Sequence, residues 1–211
     1  MESTDNSVFR LVGGHPALDL INTVEPRVPA AAPEQERLGT PEELLDWAVQ
    51  AQVVRPGEVP EIRRAWRGEQ ALAAVLAIRE ALYAALMIRL DLNLDSVLPY
   101  HASLEQLSTR YATAAARARL VLAFGAVGAG RLKFGEIAEF AVQDRLAEAA
   151  MELMTVENID ALRVCPLDEG GCGWMFLDRS RNHSRRWCAM ADCGARVKAR
   201  KLNRRRRAAT R

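Results

Sequence analysis

The sequence predicts a mainly α-helical protein with a minor β component. A helical N-terminal domain is expected over residues 1–160, and a small four-cysteine module of β-hairpin and C-terminal helix over 161–211. Three observations predict this. Long stretches place apolar residues three and four apart, the spacing of one helix face. In the stretch RLVLAFGAVGAGRLKFGE two short apolar runs flank a Gly/Ala linker, which suggests a β-hairpin. All four cysteines lie between positions 165 and 193.

The elements follow in order. Gly13-Gly14 marks a tight turn between short apolar runs. The Pro- and Ala-rich EPRVPAAAPEQERLGTP has no periodicity and reads as an exposed loop. Thr40, Pro41 and Glu43 form an N-cap, a first-position proline and a capping box, so PEELLDWAVQAQVV starts as a helix and stops before Pro56-Gly57. A long helix is expected from Pro60 to Leu90, with Val75, Ile78, Leu82, Leu86 and Leu90 on one face. Arg79 and Glu80 in its middle argue for a protein core rather than a membrane span. Helix is expected again from about Leu104 to Arg117. A last amphipathic helix, EIAEFAVQDRLAEAAMELMT, should put Val142, Leu146, Ala149 and Leu153 inward and Arg145, Glu148 and Glu152 toward water. The start, MESTDNSVFR, lacks the basic and apolar regions of a secretory signal, so the expected location is cytoplasmic.

The formal net charge of +2 conceals a division. From Arg179 to Arg211 there are 13 Lys or Arg and one acid, so the preceding residues hold 16 bases and 26 acids. An acidic body thus carries a strongly basic end, which suggests a polyanionic partner. The cysteines read C-x6-C-x15-C-x4-C: Cys165, Cys172, Cys188 and Cys193. Two short-range pairs separated by about fifteen residues are the pattern of a four-thiolate site for one structural Zn2+. Disulfides are the alternative, and they fit a reducing compartment poorly. Between the pairs, WMFLD is expected as a strand, RSRNHS as a turn and RRW as a return strand, giving a treble-clef-like order of knuckle, hairpin, knuckle and helix. His183, at the expected hairpin tip, is an alternative ligand.

Arg196, Arg200, Arg204 and Arg207 fall on one helix face, with Lys198, Lys201 and Arg205 beside them. Like charges at this spacing repel, and a polyanion relieves the repulsion. Arg179, Arg181, Arg185 and Arg186 add a second basic strip. Such strips contact phosphates. Arg181, Asn182, His183 and Arg196 are the candidates for reading bases. DNA is the expected partner; a protein of the transcription machinery, such as RNA polymerase, is the second reading and RNA the third. A homodimer is expected if the target is palindromic. In the body, His15, Asp19, Asn22, Thr23 and Arg27 could line a pocket for a small effector. Alternatively Asp19 and Asn22 bond backbone while Leu18, Leu20 and Ile21 enter the core. There is no phosphate loop, His-Glu-x-x-His or Gly-x-Ser-x-Gly motif, so no enzyme is expected.

The run CGWMFLDRSRNHSRRWCAMADCGARVKARK closely resembles the CGNR-type zinc finger: Cys172, Phe176 to Ser180, Arg185 to Met190, and Cys193 to Arg196 match its signature. GGHPALDLINT and LGTPEELLDWA resemble the ABATE domain that precedes this finger. The resemblance implies a bacterial, stress-induced transcription regulator with a zinc-dependent nucleic-acid-binding C-terminus. Ala195 stands where the signature has Asn, and the first cysteine pair is more widely spaced. Neither change removes a ligand.

Overall fold

The computed structural model describes residues 9–27, 35–90, 100–122 and 129–209. Its helices are α1 (Pro16–Ile21), α2 (Pro41–Gln50), α3 (Val59–Ala65), α4 (Gly68–Arg89), α5 (Tyr100–Arg117), α6 (Ala141–Thr155) and α7 (Ala195–Ala209). Three two-stranded antiparallel sheets pair β1 (Val24–Glu25) with β2 (Gln35–Glu36), β3 (Arg119–Leu122) with β4 (Gly130–Lys133), and β5 (Leu162–Val164) with β6 (Met175–Leu177).

The capping box forms as read: Glu43 N–H donates to Thr40 Oγ1 and Thr40 N–H to Glu43 Oε2. α4 is the central helix of the main core, with Val75, Ile78, Leu82 and Leu86 at most 1 % exposed. It is long and apolar enough to cross a membrane, but most of that stretch is buried within the protein. Arg79 is buried there as well. Its guanidinium takes both oxygens of Glu36, with Thr23 Oγ1 and Glu80 completing its partners. A buried cation needs such pairing to offset its lost hydration.

Two expectations for the body need correction. The helix expected from Pro60 to Leu90 is broken: Trp66 turns to extended backbone, with ψ 138°, and packs partly buried against the core. α4 then starts afresh at Gly68, a weak helix former. Arg145 does not face water. It turns inward to Glu58 and to the carbonyls of Val53 and Gly135. The β3–β4 hairpin forms as expected, with Leu120 opposite Leu132.

The return strand expected at Arg185–Trp187 does not form. β6 pairs instead with β5, which precedes the first cysteine. The reason is alternation along β6. Met175 and Leu177 enter the main core beside Leu162. Trp174 and Phe176 point to the opposite side, into a small second core with the four cysteines, Trp187 and Val197. One strand pair therefore walls both cores.

A buried four-cysteine cluster and its basic rim

The first cysteine pair sits on a loop closed by its own backbone. Cys165 N–H donates to Trp174 O, Gly171 N–H to Pro166 O, and Gly173 N–H to Cys165 O. Gly171 is required here, because a Cβ would lie 2.6 Å from Pro166 O and 2.7 Å from Cys165 Sγ. Gly173 has φ 77°, and a Cβ there would run into Arg27 O. The second pair is held by a wide turn, Met190–Gly194, that runs straight into α7.

The four ligand sulfurs all lie within 4.8 Å of one another and all four residues are buried. Cys172 and Cys188 sulfurs are 3.4 Å apart, and Cys188 and Cys193 sulfurs 3.7 Å. A tetrahedral zinc with Zn–S bonds of about 2.3 Å needs sulfurs about 3.8 Å apart. The donor set thus fits one structural zinc, with all four positions filled by thiolates. Electrostatics agree. Hydrogen bonding from Cys172 and Cys188 holds Cys165 low, at about 2. Contact with Cys165, together with burial, pushes Cys172 and Cys188 up from the ordinary thiol range. A cation among the sulfurs would offset the charge of the buried thiolates. Arg196 Nη2 donates to Cys193 Sγ at 3.0 Å, stabilising charge on that sulfur. His183 is not near this set. It lies on an exposed loop, with Nδ1 donating to Asp178 O at 3.0 Å.

The loop after β6 is organised by Asp178, which lies within the Phe176–Ser180 part of the signature but was given no role from sequence. Its Oδ1 accepts from the N–H and the hydroxyl of Ser180, and its Oδ2 from Arg185 N–H. These bonds, the Ser180 hydroxyl foremost, hold the carboxyl below its usual range. Ser180 Oγ in turn accepts from Ser184 N–H. His183 closes the turn with φ 45°, its N–H donating to Ser180 O. Arg181, Asn182 and His183 are thereby presented, exposed, at a fixed tip.

The expected basic residues divide into two groups. Arg179, Arg186, Lys198, Arg200, Lys201, Arg204 and Arg207 are exposed; the Arg205 side chain lies outside the described residues. Arg179 pairs with Glu157. Arg186 and Lys201 both reach Glu169, which places the loop strip beside the helix strip. Arg185, half-buried, and Arg196, exposed, also make contacts inside the finger. Arg185 stacks 4.2 Å over Phe176 and donates to the carbonyls of Val12, Trp187 and Cys188. Arg196 is engaged with the sulfur cluster. Ala195, where the signature has Asn, is exposed at the first position of α7.

His15, Asp19, Asn22, Thr23 and Arg27 are all buried, each at most 9 % exposed, and all have partners within the protein. The β5–β6 register explains two of them, Asn22 and Asp19. Leu162↔Leu177 and Val164↔Met175 are the non-hydrogen-bonded pairs, so the peptide groups of Met175 and Leu177 face away from β5. Asn22 satisfies both groups of Met175: Nδ2 donates to its carbonyl at 2.8 Å and Oδ1 accepts from its N–H at 2.9 Å. Gly13 O accepts from Leu177 N–H, and Asp19 Oδ1 fixes that turn by accepting from Gly13 N–H. Arg27 N–H donates to Cys172 O, while its guanidinium takes both oxygens of Glu80 and stacks 3.9 Å over Tyr83. Trp174 Nε1 donates to Val24 O. His15 caps α1 through Nδ1, and Thr23 bonds Leu20 O and Arg79. This segment closes the open edge of the finger's strand.

Two comparisons bear on this arrangement. The family model described as "CGNR zinc finger" matches residues 162–206. The ABATE model, described as "Putative stress-induced transcription regulator", matches residues 14–157. No curated protein matches the chain.

Proposed function

We propose that this chain, which belongs to the ABATE family and ends in a CGNR zinc finger, is a regulator that binds double-stranded DNA through its basic finger. The work would divide between a body over residues 1–160 and a finger over 161–211. The observation that carries the reading is the pairing of two exposed basic strips at Glu169 on a metal-fixed scaffold. Arg179, Arg186, Lys198, Arg200, Lys201, Arg204, Arg205 and Arg207 would contact phosphates, which sets affinity and register. Arg181, Asn182 and His183 would reach base edges, since their loop is fixed by Asp178 rather than by a partner. His183 donates through Nδ1 to a carbonyl, which leaves Nε2 as an acceptor in the neutral ring. Zinc supplies the rigidity and takes no part in chemistry; four thiolates leave it no open position.

Fluorescence anisotropy of the zinc-loaded protein with a labelled duplex across a salt series tests this. Neutralising about six phosphates predicts a slope of log affinity on log salt of roughly −5. Arg200→Ala with Arg204→Ala should make that slope shallower by about two. No binding at low salt, or equal binding after chelation, overturns the reading in favour of a protein partner. Stronger binding to duplex RNA than to DNA assigns the finger to RNA instead.

A further inference from the structure

One cavity in the body is lined by no residue of the finger and by none of the cluster around Asn22. Its volume is about 360 Å3, and Gln52, Arg55, Glu58, Arg131, Lys133 and Arg145 line it with Glu148. Three separate elements meet there: the turn between α2 and α3, strand β4, and α6. Four cations face two acids, in a body whose overall balance is acidic.

The cations are not equivalent. Arg145 is spent on Glu58, on Val53 O and on Gly135 O, which builds the floor. Lys133 pairs with Glu136 at 2.8 Å. Arg55 and Arg131 are exposed and make no direct ion pair among the described residues, with Glu58 the acid near Arg55 and Glu148 the acid near Arg131. Gln52, which also lines the cavity, holds φ 60°, a backbone conformation unusual for a residue other than glycine. On the β3–β4 hairpin Leu120 and Leu122 are 76 % and 72 % exposed, and Arg131, also exposed, and Lys133 line the cavity with Leu132 between them.

We infer that this cavity binds a small organic dianion, held between the guanidinium groups of Arg55 and Arg131. Each guanidinium offers a planar fork that matches one carboxylate or one phosphate. Lys133 adds a point charge, and Gln52 a neutral donor and acceptor for the remainder of the molecule. A cavity of this size admits a compact metabolite rather than a nucleotide polymer. The inference stands independently of DNA binding, because no residue of the basic finger takes part.

The test is isothermal titration of the full zinc-loaded protein with three probes: succinate, inorganic phosphate and glucose 6-phosphate. Succinate binding identifies the dianion as a dicarboxylate, and binding of either phosphate probe as a phosphate. The expected Kd for the fitting probe is about 0.1–1 mM. Arg131→Gln and Arg55→Gln should each weaken it by about tenfold or more, since each removes a charged pair. Arg200→Gln, on the basic helix, should leave it unchanged, and both cavity variants should keep the wild-type zinc content. No binding by any probe overturns the inference. So does binding that survives Arg131→Gln and Arg55→Gln but falls with Arg200→Gln, which would place the anion on the tail.

Discussion

Asn22→Ala is the sharpest perturbation the fold offers, because one side chain substitutes for a missing strand. The Asn22 amide makes two buried bonds, at 2.8 and 2.9 Å, to the outward-facing peptide groups of Met175. Asn22 is 2 % exposed and Met175 is fully buried, so water cannot take over either bond without opening the structure. A buried backbone group left without a partner costs about 1–3 kcal/mol. Two such groups give a loss of roughly 2–6 kcal/mol, with about 3 as a working value. In a protein of this size each kcal/mol lowers the melting temperature by about 2–4 °C, so the expected fall is about 6–12 °C. Urea unfolding of the zinc-loaded protein, followed by far-UV circular dichroism, measures the loss. Tryptophan fluorescence should move with it, because Trp174 adjoins Met175 and bonds Val24. Zinc should also be lost more readily to a competing chelator, since the same strand adjoins Cys172. A loss below about 1 kcal/mol, with unchanged zinc retention, would refute the view that this segment holds the finger's strand edge.

Other outcomes follow from the same contacts. Cys172→Ser should abolish stoichiometric zinc and shift tryptophan emission to the red, because Trp174 and Trp187 share the sulfur core; a ligand-release assay with a colorimetric chelator reads the metal directly. Burial raises Asp19 from about 3.8 to about 6. The folded state therefore holds this proton between about pH 4 and 6 where the unfolded state does not, and stability falls as pH rises through that window. Asp19→Asn, whose amide oxygen can still accept from Gly13, should remove that decline, and melting curves of both proteins from pH 4 to 7 test it. Asp178→Ala should keep full zinc content yet weaken duplex binding by about tenfold, because the loop that presents Arg181 to His183 loses its central acceptor. An unchanged affinity by anisotropy would show that the loop plays no part in binding.

The sequence made local structure legible where the rule is local. The Thr40–Glu43 capping box, the hairpin around Gly130 and the grouping of four cysteines depend on residues within one turn or one loop. It was misleading where a partner comes from far along the chain. RRW alternates poorly and lies next to WMFLD, so a local hairpin was the economical reading. The strand that pairs with Met175–Leu177 instead precedes the first cysteine, and what selects it is Leu162, which must reach the main core. Charge was misleading in the same way. Nothing in RNHSRRW distinguishes Arg185 from Arg186, yet the first is folded over Phe176 and the second is exposed. Arg145 looked solvent-facing by helical period, and only the position of Glu58, 87 residues away, draws it inward. The cavity was invisible for this reason: its lining comes from three elements that share no motif.

The regular polarity of GGHPALDLINTVEPR can now be read physically. A two-stranded sheet is marginal by itself, and its outer edge is a row of unpaired peptide groups. The finger is too small to cover that edge with its own residues once its remaining chain is committed to the metal and to α7. The body covers it, with a side-chain amide at Asn22, backbone at Gly13 and Arg27, and the Val24 carbonyl for the Trp174 indole. Arg10 adds an outer clasp by stacking on Trp174 and pairing with Asp192. On the other side α6 runs from the cavity, at Arg145 and Glu148, toward the finger: Glu152 lies 3.8 Å from His15, and just beyond the helix Glu157 pairs with Arg179. The basic loop is consequently set in a fixed orientation on the acidic body. β6 walls both cores, and the chain just beyond the helix that frames the cavity pairs, at Glu157, with the first cation of the basic rim.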